Sequence, residues 1–183
     1  MVFPKLKHNL SRYLLMGLGL LATCSLAAAQ TAKSNTYKIT EAGVQIDLPA
    51  GWDASKDPNG THTIVKKDGD SYVVYSMSVV PREPAMTVDM TFAAFSEGIF
   101  EHAKKEWKGF KAGDIVKDTV NGMDIRAQKI EGTDESLGGE LEGLVVVIDS
   151  SKPLGIFGQR TKKHSDTLEN EGSQILGSIK KIQ

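Results

Sequence analysis

The chain has 183 residues, 40% of them hydrophobic and 25% charged, which are the proportions of an ordinary globular domain. They exclude a disordered, collagen-like or multi-pass membrane protein. The 22 Lys and Arg nearly balance the 23 Asp and Glu, so net charge gives no signature of nucleic-acid binding.

Residues Met1 to Ala29 contain no acid and carry Lys5, Lys7 and Arg12 ahead of an apolar run from Tyr13 to Ala22. A positive head, a short apolar middle and small residues at the end make a secretory signal. The run is shorter than the ~20 residues of a spanning helix. Ala27 and Ala29 supply the small side chains that a signal peptidase accepts, so the mature chain is expected to begin at Gln30. The one cysteine, Cys24, follows Leu21-Ala22-Thr23 in a lipobox-like context. Acylation at Cys24 is therefore the alternative to soluble export, although Thr23 is a poor fit. Neither cut leaves a disulfide within the mature chain, so its stability must come from a packed core. Removing 1–29 takes away three cations and no anion, which leaves a mildly acidic domain.

Residues 30–36 read as a polar leader, and 37–183 as one domain, long enough to bury ~70% of its unfolded surface. Tyr37–Thr40 and Val44–Leu48 alternate about Glu41-Ala42-Gly43, the pattern of a half-buried hairpin. Asp53–Gly60 reads as a polar loop. His62–Lys66 and Ser71–Val80 form a second strand pair about Lys67–Asp70, the latter strand rich enough in β-branched and aromatic residues to lie centrally. Thr87–Lys108 is the clearest helix, with Thr87 as N-cap and Val88, Phe92, Phe95, Ile99 and Ala103 as one apolar stripe. Phe100 and Trp107 widen the stripe, and Gly109 is placed to end the helix. Ile115–Val120 and Met123–Ile130 flank Asn121-Gly122, a strong hairpin signal. Glu131–Gly139 reads as an acidic loop, and Glu140–Ile148 with Leu154–Gln159 as a further strand pair. Ser165 then caps a helix to about Gly177, with Leu168, Ile175 and Ile179 facing inward and Lys180-Lys181 at its end. Strand pairs with tight turns and two helices predict an α+β fold, a layered antiparallel sheet with helices on its faces.

Chemistry is sparse. The mature chain has no cysteine and three dispersed histidines, His62, His102 and His164, with no zinc-type spacing. His102 and Glu106 stand one helical turn apart, yet their place beside the apolar stripe favours a hydrogen-bonded histidine at the core's rim. Asp68-Gly69-Asp70 lacks the remaining ligands of a calcium loop and reads as turn chemistry. Glu131, Asp134, Glu135 and Glu140 suit weak divalent cations better, but a solvated hairpin tip accounts for them. No nucleophile elbow or phosphate loop exists in the mature chain, and Ser178-Ile179-Lys180-Lys181 matches Ser-x-x-Lys without its companion motifs. Trp107 is read as core, and Trp52 as a lid over the first hairpin rather than a binding hot spot.

An alternating strand ending in Leu48-Pro49-Ala50-Gly51-Trp52, soon after an exported N-terminus, resembles the PsbP-like superfamily, including periplasmic and lipoprotein members such as the DcrB group. Ile175-Leu176-Gly177-Ser178-Ile179 is similar to the helix that closes those domains. The resemblance implies an αβα sandwich about a central antiparallel sheet, and action by docking on a partner. No functional residue is carried over from it. The reading that follows is an exported, non-catalytic binding or accessory protein of the bacterial envelope, periplasmic or secreted. It is expected to be monomeric, without metal or cofactor, and to dock on an envelope protein through a sheet face or the loops 53–60 and 131–139. The alternatives are a secreted hydrolase with carboxylates assembled from separate strands, and a lipid-anchored protein.

Overall fold

The computed structural model describes residues 35–183 apart from 138, 164 and 165. The cleavage residues Ala27 and Ala29, the acylation alternative Cys24, and the positions His164 and Ser165 lie outside the described residues. Eleven strands and two α-helices follow one another among these residues. The first hairpin is β1 (Asn35–Ile39) and β2 (Val44–Leu48), joined by one 3-10 turn at Thr40–Ala42. Then come β3 (Asp53–Lys56), β4 (His62–Asp68), β5 (Ser71–Val79) and helix α1 (Val88–Glu106). Strands β6 (Lys108–Ala112), β7 (Val116–Val120), β8 (Met123–Asp134), β9 (Gly139–Ile148) and β10 (Leu154–Thr161) precede helix α2 (Asp166–Ser178) and the short β11 (Lys180–Lys181).

All pairings are antiparallel and build two sheets. The larger runs β3-β4-β5-β10-β9-β8-β6, with β7 also paired to β8, and the smaller runs β1-β2-β11. Because side chains alternate along a strand, each central strand feeds two cores. Val146 and Ile148 of β9 join Ile39, Ile46 and Leu48 of the small sheet and Leu168 and Ile175 of α2. Val145 and Val147 join Val88 and Phe92 of α1. The order of layers is therefore α1, large sheet, then small sheet with α2. This is the expected α+β sandwich, with a three-stranded sheet sharing the second outer layer with a helix.

Local expectations hold where a cap or a turn residue fixes the chain. The Thr87 hydroxyl accepts from the Met90 N–H at 3.3 Å, capping α1. Asn121 (φ 47°) and Gly122 (φ 76°) make the turn between β7 and β8. Strand β5 is central, between β4 and β10.

Four expectations need correction. Asp53–Lys56 is an edge strand rather than loop, recruited by β4 despite its polarity, because an edge strand has little apolar surface to bury. The helix closes at Trp107, ahead of Gly109, because the buried indole turns the chain down onto the sheet and β6 begins at once. A Cβ at Gly132 would stand 2.9 Å from Trp107 Cβ, so the indole's seat depends on that glycine. The first part of the expected acidic loop is the end of β8, held by β9 to Asp134, and Glu135–Leu137 after it is a 3-10 turn. Finally, Lys180–Lys181 is not a helix end but a strand on β2, fixed by Lys180 Nζ to Asp47 Oδ2 at 2.7 Å.

Candidate functional site

The large sheet has eight strands, whereas α1 lies over β6, β8 and β9 and reaches only the margin of β10. On that face the cross-strand rows continue beyond the helix. Phe157 is paired with Ser76 and that with Thr63, while Gln159 is paired with Val74 and that with Val65. All six side chains are half-buried, keeping part of their surface in water. The opposite face of the same strands is covered by the small sheet and α2. Beside α1 the floor deepens into a groove of about 370 Å³.

Its lining sorts by origin. Gly98, Ile99, His102 and Glu106 come from α1, Phe157 and Gln159 from β10, and Asp134, Ser136 and Leu137 from the end of β8 and the turn after it. Trp107 closes the base, its ring tilted against Phe157 with centroids 6.5 Å apart. The turn is held by Asp134 Oδ1, which accepts from the Ser136 N–H at 2.9 Å and from its hydroxyl at 2.6 Å. That hydroxyl keeps the Asp134 carboxyl below the usual carboxylate range. Leu137 is thereby presented at the rim, 44% exposed. The Gln159 amide donates to the Tyr72 hydroxyl, whose pKa burial raises. Among the described residues lining the groove, the charged side chains are Glu106 and Asp134, both carboxylates. An apolar base with a few polar groups at the rim is the composition of a recognition site.

The residues singled out from sequence fall in several places. His102 and Glu106 do meet at this groove, but both are exposed rather than tucked at the core's rim, because the sheet beside them is uncovered. Asp134 joins them from the opposite wall. The other acids of 131–140 are dispersed: Glu135 pairs with Lys108 at 2.7 Å, and Glu140 with Lys162 at 3.4 Å. Among the described residues, no group of three His, Cys, Asp or Glu is placed to hold a metal ion. Asp68-Gly69-Asp70 forms the β4–β5 turn, with Gly69 at φ 59°.

His62 is nearly sealed, at 4% exposure, between the two sheets. Its Nδ1 lies 2.8 Å from the Tyr37 hydroxyl, and its Nε2 lies 3.7 Å from a Glu41 oxygen. Trp52 is core rather than lid: it stacks on Tyr75 and donates through Nε1 to Glu171 at 2.8 Å. Lys66 also binds that carboxylate at 2.6 Å. Ser178 is structural, its hydroxyl accepting from the Asp47 N–H at 3.0 Å and donating to the Ile175 carbonyl at 2.8 Å. A second hollow, about 340 Å³ near Pro81 and Pro153, holds Arg82, whose guanidinium is committed to Asp149 at 2.6 Å.

Sequence reasoning missed Phe157 and Gln159 as site residues, whereas Leu137 lies within the loop 131–139 that it offered for docking. Strand alternation places Phe157 and Gln159 on one face, but it does not reveal that a single helix leaves half that face open.

The layered arrangement is a PsbP-like fold. Among solved structures it is similar to cyanobacterial PsbP (CyanoP) from Synechocystis sp. PCC 6803, at 15% identity and a TM-score of 0.58, covering 90% of this chain and 100% of that one. LpqN, involved in cell envelope biogenesis of Mycobacterium tuberculosis, matches at 12% identity and a TM-score of 0.49, covering 82% of this chain and 86% of that one. No family model matches the chain, and no curated protein sequence does. At such identities the likeness is one of fold. No helix among the described residues is long and apolar enough to cross a membrane.

Proposed function

We propose that the protein is an exported, non-catalytic binding or accessory protein of the bacterial cell envelope, periplasmic or secreted, which docks on another protein through the face beside α1. The observation that carries this reading is the uncovered half of the large sheet, running into an apolar-based groove with Leu137 at its rim. An apolar groove base rimmed by polar groups is the kind of surface that marks a protein-interaction site. His102, Glu106 and Asp134 are the groups a hydrolase would need, but the exposure of His102 and Glu106 to water gives them none of the seclusion that makes an acid–base pair effective.

Two measurements test the reading. Mass spectrometry of the mature protein is expected to find an N-terminus at Gln30, after Ala27-Ala28-Ala29. An acylated Cys24 would instead make it a lipid-anchored protein. Affinity capture from envelope extract should retain a partner that is lost with Leu137→Asp and kept with Ile115→Asp, a substitution at another exposed apolar residue. Equal loss with both variants, or with neither, would remove the groove from the docking surface.

A further inference from the structure

The occupant of the open face follows from its dimensions and charge. Strands lie about 4.8 Å apart, and an α-helix with its side chains is about 10–12 Å wide. The strip over β3, β4 and β5 beside α1 thus has roughly the width of one helix. The floor of the strip is made of short side chains, Ser76, Ser78, Thr63 and the two valines Val65 and Val74, all half-buried. On the α1 side, Gly98 lines the groove and presents no side chain, which lets a second helix approach closely. At the groove end, Glu106 and Asp134 flank the apolar base formed by Ile99, Trp107 and Phe157, with no Lys or Arg among the described lining residues. An element seated there is complementary when it places an apolar anchor one helical turn from a Lys or Arg.

We infer that the docking face takes an amphipathic helix of the partner protein, lying beside α1 as a missing helix of this layer would, with a basic residue facing Glu106 and Asp134. This deepens the docking function proposed above and rests on it. An extended strand is disfavoured, because the open surface is a sheet face, and strand addition uses a sheet edge.

The test places a photo-reactive phenylalanine analogue at Gly98, at Ser76 or, as a control, at Ile115 of the full chain in its host. A Cβ at Gly98 meets nothing within 4 Å, so a side chain has room to leave the helix there. Adducts from Gly98 and Ser76 should map to one partner segment, at residues three, four or seven apart. Asp134→Lys should lower the yield roughly tenfold, the scale of one charge-assisted hydrogen bond. Reversing the partner's basic residue to Glu should restore it. Adducts at alternate residues, or a yield indifferent to Asp134→Lys, would overturn the helix assignment. Adducts from Ile115 alone would leave docking standing and move it to another surface. No adduct at any position, in a chain that melts like the wild type, would remove both this inference and the docking function.

Discussion

His62 shows how one side chain can couple the two sheets. The Tyr37 hydroxyl links two strands, donating to the Ser55 carbonyl at 3.2 Å and lying 2.8 Å from His62 Nδ1. The small sheet, β3 and β4 are joined through this chain of bonds. Burial holds the imidazole below its ordinary pKa of 6.5, and Glu41 opposes that shift only in part, with Lys56 and Asp57 as the other charges that act on the ring. A depressed pKa means that the unfolded chain binds the proton more readily. The contribution is therefore complete above about pH 6.5 and is lost as pH falls through the folded-state value. Glu41, Asp47, Asp89 and Glu142 also sit below their ordinary values, so their contributions are lost only at lower pH. The melting temperature should fall between about pH 7 and pH 5 in the wild type, and fall less in His62→Gln, which keeps a hydrogen-bonding amide near Tyr37 without a titratable ring. Calorimetry across that range decides it: parallel slopes in the two proteins would detach the effect from His62.

Among elements, the position of α1 on the sheet is fixed by a close approach that tests the packing directly. A Cβ at Gly155 would stand 2.6 Å from the Phe95 ring and 2.6 Å from Val80 Cγ2, so β10 meets the helix there with no room for a methyl group. Gly155→Ala should destabilise the protein by about 1–3 kcal/mol, the usual cost of overpacking, read as a lower urea midpoint. An unchanged midpoint would mean that the helix rides loosely on the sheet. The same comparison explains what was legible in advance. Val88, Phe92 and Ala103 carry a 3.6-residue period and Asn121-Gly122 a turn with positive φ, and both kinds of signal are local. Strands β3, β6 and β11 carry polar sequences and exist only because β4, β8 and β2 offer them backbone partners. Asn121 shows the limit of local reading: its amide also binds the Gly177 and Ile179 carbonyls at 3.1 and 2.7 Å, closing α2 from 56 residues away. The candidate site was less legible still. His102, Glu106 and Asp134 stood out as titratable residues, but their common groove is defined by an uncovered sheet face, a property of layer widths rather than of any motif.

At the scale of the whole molecule, one sheet serves two cores, and each core has its own reporter. Trp52 lies 7% exposed among the residues shared by the large sheet, the small sheet and α2, and Trp107 lies 5% exposed between α1 and the sheet. Neither layer can peel away alone at small cost, because Val145 and Val147 face one core while Val146 and Ile148, on the same strand, face the other. The C-terminal segment adds to the coupling: β11 pairs with β2 beside β1, and the Ile182 N–H donates to the Gly43 carbonyl at 2.9 Å. Domains built this way unfold cooperatively. Single-tryptophan proteins, Trp52→Phe and Trp107→Phe, isolate the two reporters. Each substitution shifts overall stability, since Trp52 loses its bond to Glu171, so the comparison is made within each variant. In both, the urea midpoint from tryptophan fluorescence should coincide with that from far-ultraviolet circular dichroism. A Trp107 signal lost before the sheet signal would make α1 a separable layer, leaving the face beside it free to rearrange when a partner helix docks.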